Sequence, residues 1–253
     1  MNKKAEEIGL KNTHFVTPHG LDDIEHYTTA YELAVLTDYA LKNETFSKIV
    51  NTKSTTISIN NVPRSIYNTN ELLGILNGVD GVKTGFTNNA GRCLVTSCTR
   101  DNNQIITVVL GCDTKKQRTS DSMKLIEYAF KNYTRVNLEE KIKTEFEKWK
   151  QINSERIYIN KGEKTKVELE LKEIHKKQLP IKIGEENNIG IETNAIYEYD
   201  APVIKNTKIG NIVVKYNSKV VESVDIICSK EIEKKSIFSY LKELLSIIPN
   251  YEF

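Results

Sequence analysis

The chain has 253 residues, enough for one large domain or two modest ones with a true buried core. Its 39% apolar and 28% charged residues are the ordinary mixture of a globular protein, which excludes a disordered or fibrous chain. The net charge of +2 comes from lysines interleaved with Asp and Glu, so there is no global pull toward nucleic acid or an anionic membrane.

In chain order, residues 1–10 have the helical spacing of Ala5 and Ile8, with Gly9 where a C-cap belongs. A turn-rich loop, NTHFVTPHGLDD, leads to a second helix over about 28–42. Thr28 or Thr29 would cap it, and Leu33, Leu36 and Ala40 would form its apolar face. Residues 52–66 alternate polar and apolar around Asn60-Asn61, the pattern of a hairpin. Asp80-Gly81 turns the chain into Val82-Lys83-Thr84-Gly85-Phe86. Two more strands follow, Cys93–Cys98 and Ile105–Gly111, joined by the turn at Arg100–Asn103, and the three read as an antiparallel meander. A helix over about 118–131, with Met123, Ile126 and Phe130 on one face, closes this first part.

Beyond a charged stretch at 134–150 the pattern changes to short alternating strands at 156–159, 165–171, 190–197, 210–216 and 220–228, with Gly, Asn and Pro between them. Such spacing without helices predicts a small β-sandwich. The last stretch, about 231–248, places Ile237, Phe238, Leu241, Leu244, Leu245 and Ile248 on one helical face before Pro249. Periodicity leaves open a coiled-coil seam, a core helix or a membrane-surface helix. The expected divisions are therefore 1–133, 134–230 and 231–253.

Four cysteines (Cys93, Cys98, Cys112, Cys228) form no Cys-x-x-Cys pair, which argues against structural zinc and leaves a disulfide open. His14, His19 and His26, with Asp22 and Asp23 between them, fit no metal-binding spacing. No run approaches the roughly 18 apolar residues of a membrane-spanning helix. The first residues lack the apolar core of a signal peptide, which read literally implies a cytoplasmic protein.

The chemistry centres on Lys83-Thr84-Gly85. After an Asp-Gly turn and ahead of two further strands, this tripeptide would lie along a sheet edge. There glycine admits a close backbone, and the lysine and threonine offer a charge and a hydroxyl to a carboxylate. A surface lysine in a hairpin is the plainer reading of the tripeptide alone. The wider sequence is more specific. LKNTHFVTPHGLDD, HYTTAYELA, NTNELLG and the stretch from Gly78 to Gly111 resemble the C-terminal half of the catalytic domain of D-alanyl-D-alanine carboxypeptidases, the low-molecular-weight penicillin-binding proteins of peptidase family S11. DAPVIKNTKIGNIVVKYNSKVVESVDI resembles their C-terminal β-domain, and the last helix resembles their amphipathic membrane anchor.

The resemblance implies an α+β fold: part of a penicillin-binding/β-lactamase-like domain with an antiparallel sheet, then a β-sandwich and an anchor helix. It makes Lys83, Thr84 and Gly85 the third catalytic motif of a serine-type hydrolase. Phe86 and Thr87 would lie along the substrate, with the Phe86 N–H at the oxyanion-hole position, and Arg118 would hold the substrate's terminal carboxylate. By its residue type and place alone, Arg118 would be a surface residue at a helix start. The implied partners are a peptidoglycan stem peptide, β-lactams, and the membrane surface through 231–248. No metal or organic cofactor is implied, and the implied site of action is the outer face of a bacterial cell membrane.

The family's nucleophilic Ser-x-x-Lys and its Ser-x-Asn precede Lys-Thr-Gly, yet residues 1–82 contain no Ser-x-x-Lys. Ser58-Ile59-Asn60 falls in the expected hairpin, and Ser239-Tyr240-Leu241-Lys242 in the terminal helix, so neither is in place. The expectation is a truncated chain lacking the nucleophile, inactive by itself. The alternative is a non-catalytic module that binds peptidoglycan or a partner protein.

Overall fold

The computed structural model describes residues 1–164 and 166–247, with side chains up to Glu243 in the last helix. It is an α+β fold whose larger sheets are antiparallel, and the chain divides into two compact units, Met1–Tyr133 and Thr134–Phe253.

The first unit opens with α1 (Asn2–Glu7), α2 (Ala30–Leu41) and α3 (Glu44–Val50). Side-chain caps set two of these starts: Thr29 accepts from the Glu32 N–H at 3.2 Å, and Asn43 from the Phe46 N–H at 3.0 Å. Strands β1 (Ser54–Ile59) and β2 (Val62–Tyr67) form a separate hairpin. Asn60 and Asn61 turn it at φ 50° and 61°, a conformation that asparagine tolerates better than most residues. The meander follows as β3 (Val79–Thr87), β4 (Gly91–Arg100) and β5 (Asn103–Cys112), in that spatial order, turned between β4 and β5 by Asp101 and Asn102 at positive φ. Helix α4 (Lys115–Asn132), capped by Thr114, packs Ile126 against Leu72, Leu73, Val79, Leu94 and Cys98. Arg100 ties β4 to α4 through Glu127 at 2.6 Å and the Phe130 ring at 4.7 Å.

Three details depart from the sequence reading. Helix α3 occupies residues to which the sequence reading assigns no element. Met123 is 36% exposed, one step off the stripe of Ile126 and Phe130. In α2 the buried residues are Glu32 and Thr37, while Leu33, Leu36 and Ala40 are half-buried. Glu32 is inside because its carboxylate accepts from the N–H groups of Lys11 and Asn12 at 2.9 Å and from the Thr13 hydroxyl at 2.5 Å. Burial pushes its carboxyl up, but these bonds outweigh that effect and hold it below the ordinary range.

In the second unit, β6 (Tyr133–Asn137) leads into α5 (Leu138–Asn153). The later strands are β7 (Tyr158–Asn160), β8 (Leu169–Leu171), β9 (Gln178–Lys182), β10 (Ile189–Ala195), β11 (Glu198–Asp200), β12 (Lys208–Tyr216) and β13 (Lys219–Cys228). They make a four-stranded antiparallel sheet in the order β10-β12-β13-β8, a short parallel pair β7–β11, and a pair β6–β9. The expected plain sandwich therefore also contains a helix. Leu138, Ile142 and Phe146 of α5 recur every four residues and lie wholly inside the core beside Ile212, Val214 and Ile226. So narrow a stripe is hidden in composition by the Lys and Glu around it. Of the expected strand 165–171 only Leu169–Leu171 is formed, and Thr165 lies outside the described residues.

The last helix, α6 (Ile237–Ile247), starts at Ser236, whose hydroxyl accepts from the Ser239 N–H at 3.1 Å. Its expected end at Ile248-Pro249 lies outside the described residues. No helix among the described residues is long and apolar enough to cross a membrane. All four cysteines are free. Cys98, Cys112 and Cys228 are buried, and burial pushes each of those thiols up.

Candidate functional site

Strand β3 is an edge strand: β4 pairs with one side of it, and no strand among the described residues pairs with the other. Its free side borders a cavity of about 960 Å³ lined by Lys83, Thr84, Gly85, Phe86, Thr87 and Arg118, among others. All six residues singled out from sequence are thus brought to one place within the first unit.

The register explains how they divide. Thr84 lies opposite Leu94, whereas Lys83 and Gly85 lie opposite Val95 and Cys93, so consecutive residues address opposite faces of the sheet. A Cβ at Gly85 would meet only Cys93, at an ordinary 3.7 Å, so packing against β4 does not demand a glycine. Lys83 is exposed, and its ammonium turns back onto the Thr84 carbonyl at 2.5 Å. The Thr84 hydroxyl pairs with that of Thr69 at 2.7 Å. Phe86 is 57% exposed with the Arg92 guanidinium 4.4 Å from its ring centre, and the Thr87 hydroxyl accepts from the Ala90 N–H at 3.0 Å.

Arg118 departs from its plain reading as a surface residue. It stands one turn into α4 and is only 4% exposed. Glu71 pairs with it at 3.5 Å, and its Nε has no hydrogen-bond partner. A buried guanidinium with an unpartnered Nε is a strong donor group for a carboxylate, because bidentate pairing would satisfy its N–H groups.

Sequence reasoning missed the opposite wall. His19, Asp22, His26 and Tyr27, from a loop closed by the backbone bridge between His14 and Tyr27, line the same cavity. The rings are held locally through Nδ1: His14 on the Glu25 carbonyl at 2.7 Å, His19 with the Leu21 N–H at 3.2 Å, His26 with the Val16 N–H at 3.4 Å. Among the described residues no group of three or more His, Cys, Asp or Glu side chains is placed to hold a metal. The out-of-place motifs are structural here: Ser58 and Ile59 end β1, and the Ser239 hydroxyl donates to Glu163 at 2.5 Å. Among the described residues no serine lines the cavity.

An open strand edge, a neighbouring lysine and threonine, and a buried arginine with an unpartnered Nε are the chemical elements that pair with an extended peptide ending in a carboxylate. Known proteins match the chain along most of its length. The D-alanyl-D-alanine carboxypeptidase family profile matches residues 1–114, and that of the penicillin-binding protein 5 C-terminal domain matches residues 143–234. D-alanyl-D-alanine carboxypeptidase DacF of Bacillus subtilis is 32% identical over 97% of this chain and 61% of its own length. DacA of Haemophilus influenzae is 34% identical over 97% of this chain and 60% of its own. Penicillin-binding protein 5 of Haemophilus influenzae superposes on 92% of this chain and 64% of its own, with a TM-score of 0.66 at 27% identity. The chain belongs to the D-alanyl-D-alanine carboxypeptidase family, peptidase family S11, and spans about three fifths of the length of the curated relatives it matches.

Proposed function

We propose that the first unit is the substrate-docking wall of a serine-type D-Ala-D-Ala carboxypeptidase, whose whole protein removes the terminal D-alanine from peptidoglycan stem peptides. The observation that carries this reading is the unpaired edge of β3, with Lys83-Thr84-Gly85 along it and Arg118 buried beside it. A stem peptide would add to the edge as an extra strand, Gly85 leaving room for its backbone. Arg118 would take the terminal carboxylate, with Lys83 and Thr84 beside the scissile amide and the Phe86 N–H toward its oxygen. β-Lactams, as mimics of that peptide end, would enter the same groove.

Acyl transfer also needs a nucleophile and a base, and among the described residues the cavity walls include no serine. By itself the 253-residue chain is therefore a binder, which is also what favours the second reading, a non-catalytic peptidoglycan-binding module. The second unit would serve as spacer or interaction surface. Helix α6 would rest on the outer face of the cell membrane, since Ile237, Phe238 and Leu241 are at least half exposed and form an apolar stripe.

Two measurements on the purified chain test this. A fluorescent penicillin is expected to leave it without covalent label, and a labelled serine overturns the binder reading. A short peptide ending in D-Ala-D-Ala is expected to bind reversibly, and Arg118→Leu to weaken that binding about tenfold or more. Equal binding by both proteins removes Arg118 from the site.

A further inference from the structure

Four consecutive residues, Asn68-Thr69-Asn70-Glu71, touch both sides of the candidate site. Thr69 pairs with Thr84 of β3, and the buried Asn70 donates to the Gly81 carbonyl at 2.8 Å, just before Lys83. Glu71 reaches the other way. One of its oxygens, Oε2, lies 3.5 Å from an Arg118 terminal nitrogen and accepts from the Thr119 hydroxyl at 2.6 Å. The segment is itself stiff: Asn68 accepts from the Asn70 N–H at 2.9 Å, Asn70 from the Leu72 N–H at 3.1 Å, and Leu72 is fully buried.

The two sides of Arg118 are unlike. Arg118 lines the cavity, whereas Glu71 does not, and Glu71 lines a second surface hollow with Lys116 and Thr119. Glu71 therefore holds the arginine from behind. Arg118 and Thr119 are neighbours on the first turns of α4, so a single carboxylate oxygen is shared by two consecutive helix positions. A buried cation with one partial counter-charge behind it and Nε unpartnered is aimed rather than neutralised.

We propose that Glu71 is a positioning residue. It fixes the guanidinium of Arg118 so that its remaining N–H donors address the carboxylate end of the bound peptide, at a separation from β3 set by the rigid 68–71 segment. This rests on the peptide-docking reading above and adds to it the residue that sets terminal-carboxylate selectivity.

The test is a reversible binding titration of the full 253-residue chain with a D-Ala-D-Ala peptide as free acid and as C-terminal amide. The wild type is expected to prefer the acid. Glu71→Ala is expected to lower affinity for the acid about fivefold while leaving the amide unchanged, so the preference shrinks. Glu71→Gln keeps the shape and the bond from Thr119, and is expected to move the preference the same way by less. An unchanged preference in Glu71→Ala, while Arg118→Leu abolishes it, overturns the proposal and leaves the docking site standing. An equal loss for acid and amide shows a merely structural Glu71 and also overturns it. A wild type without acid preference overturns the docking reading and the positioning role together.

Discussion

The two units are built on different principles. Among the described residues, the core of the second unit joins nineteen buried apolar side chains drawn from a helix and most of its strands, and that of the first joins six from one helix, one sheet and the turn at Leu72-Leu73. The first unit instead relies on polar fixtures: Glu32 gathering residues 11–13, Asn68 and Asn70 bracing a turn, Arg100 bridging β4 to α4. It is also the unit that carries the candidate chemistry. A site must keep a strand edge and a cavity free of core packing, so polar networks do there what apolar burial does in the second unit.

The sharpest way to break that comparison is to empty one position in each core. Ile212→Ala, at a fully buried site among many apolar neighbours, is expected to cost about 2–5 kcal/mol by denaturant unfolding, toward the upper end. Leu94→Ala is expected toward the lower end, because the smaller core around it has fewer buried neighbours to lose. Equal costs would mean that the first unit is as tightly packed as the second.

Glycines sharpen the contrast at smaller cost. Gly78 stands at φ +83°, and a Cβ there would come 2.4 Å from the Thr99 carbonyl oxygen, so Gly78→Ala is expected to cost about 1–3 kcal/mol and to shift the turn leading into β3. Gly184 in the second unit stands at φ +87° with open space around it, and Gly184→Ala should cost only about 1 kcal/mol. Similar melting temperatures for the two variants would show that backbone conformation, not the close approach, governs both.

The effect read against pH concerns Glu32. Its folded-state pKa lies below the ordinary value, so its contribution is complete above the unfolded pKa and is lost as pH falls through the folded one. Glu32→Gln is expected to flatten the decline in melting temperature below about pH 5. An unchanged acid limb would place the acid sensitivity of the protein elsewhere.

Much of the site was legible in the sequence because its signals are local. The apolar run from Val82 announces β3, although Asp80-Gly81, which reads as a turn ahead of it, lies inside the strand at a register shift; the asparagine turns announce the hairpins, and Lys83-Thr84-Gly85 is read directly from adjacent residues. What stayed hidden involves partners far apart in the chain. Thr69 meets Thr84 across fifteen residues, Glu71 meets Thr119 across forty-eight, and the wall formed by His19, Asp22 and His26 faces residues of β3 more than fifty positions later. Helix α5 was masked for a different reason, since only three of its side chains are fully apolar and buried at spacing four amid lysines and glutamates.

By itself the sequence determined the meander, its turns, the helix caps and the family to which they belong, since capping, turn chemistry and alternation depend on residues within a few positions of each other. The tertiary structure alone decided that Arg118 is buried rather than on the surface, that β3 is left at an edge, and that Glu71 stands behind the arginine. Those are matters of which surfaces exclude water together, and no local pattern specifies them.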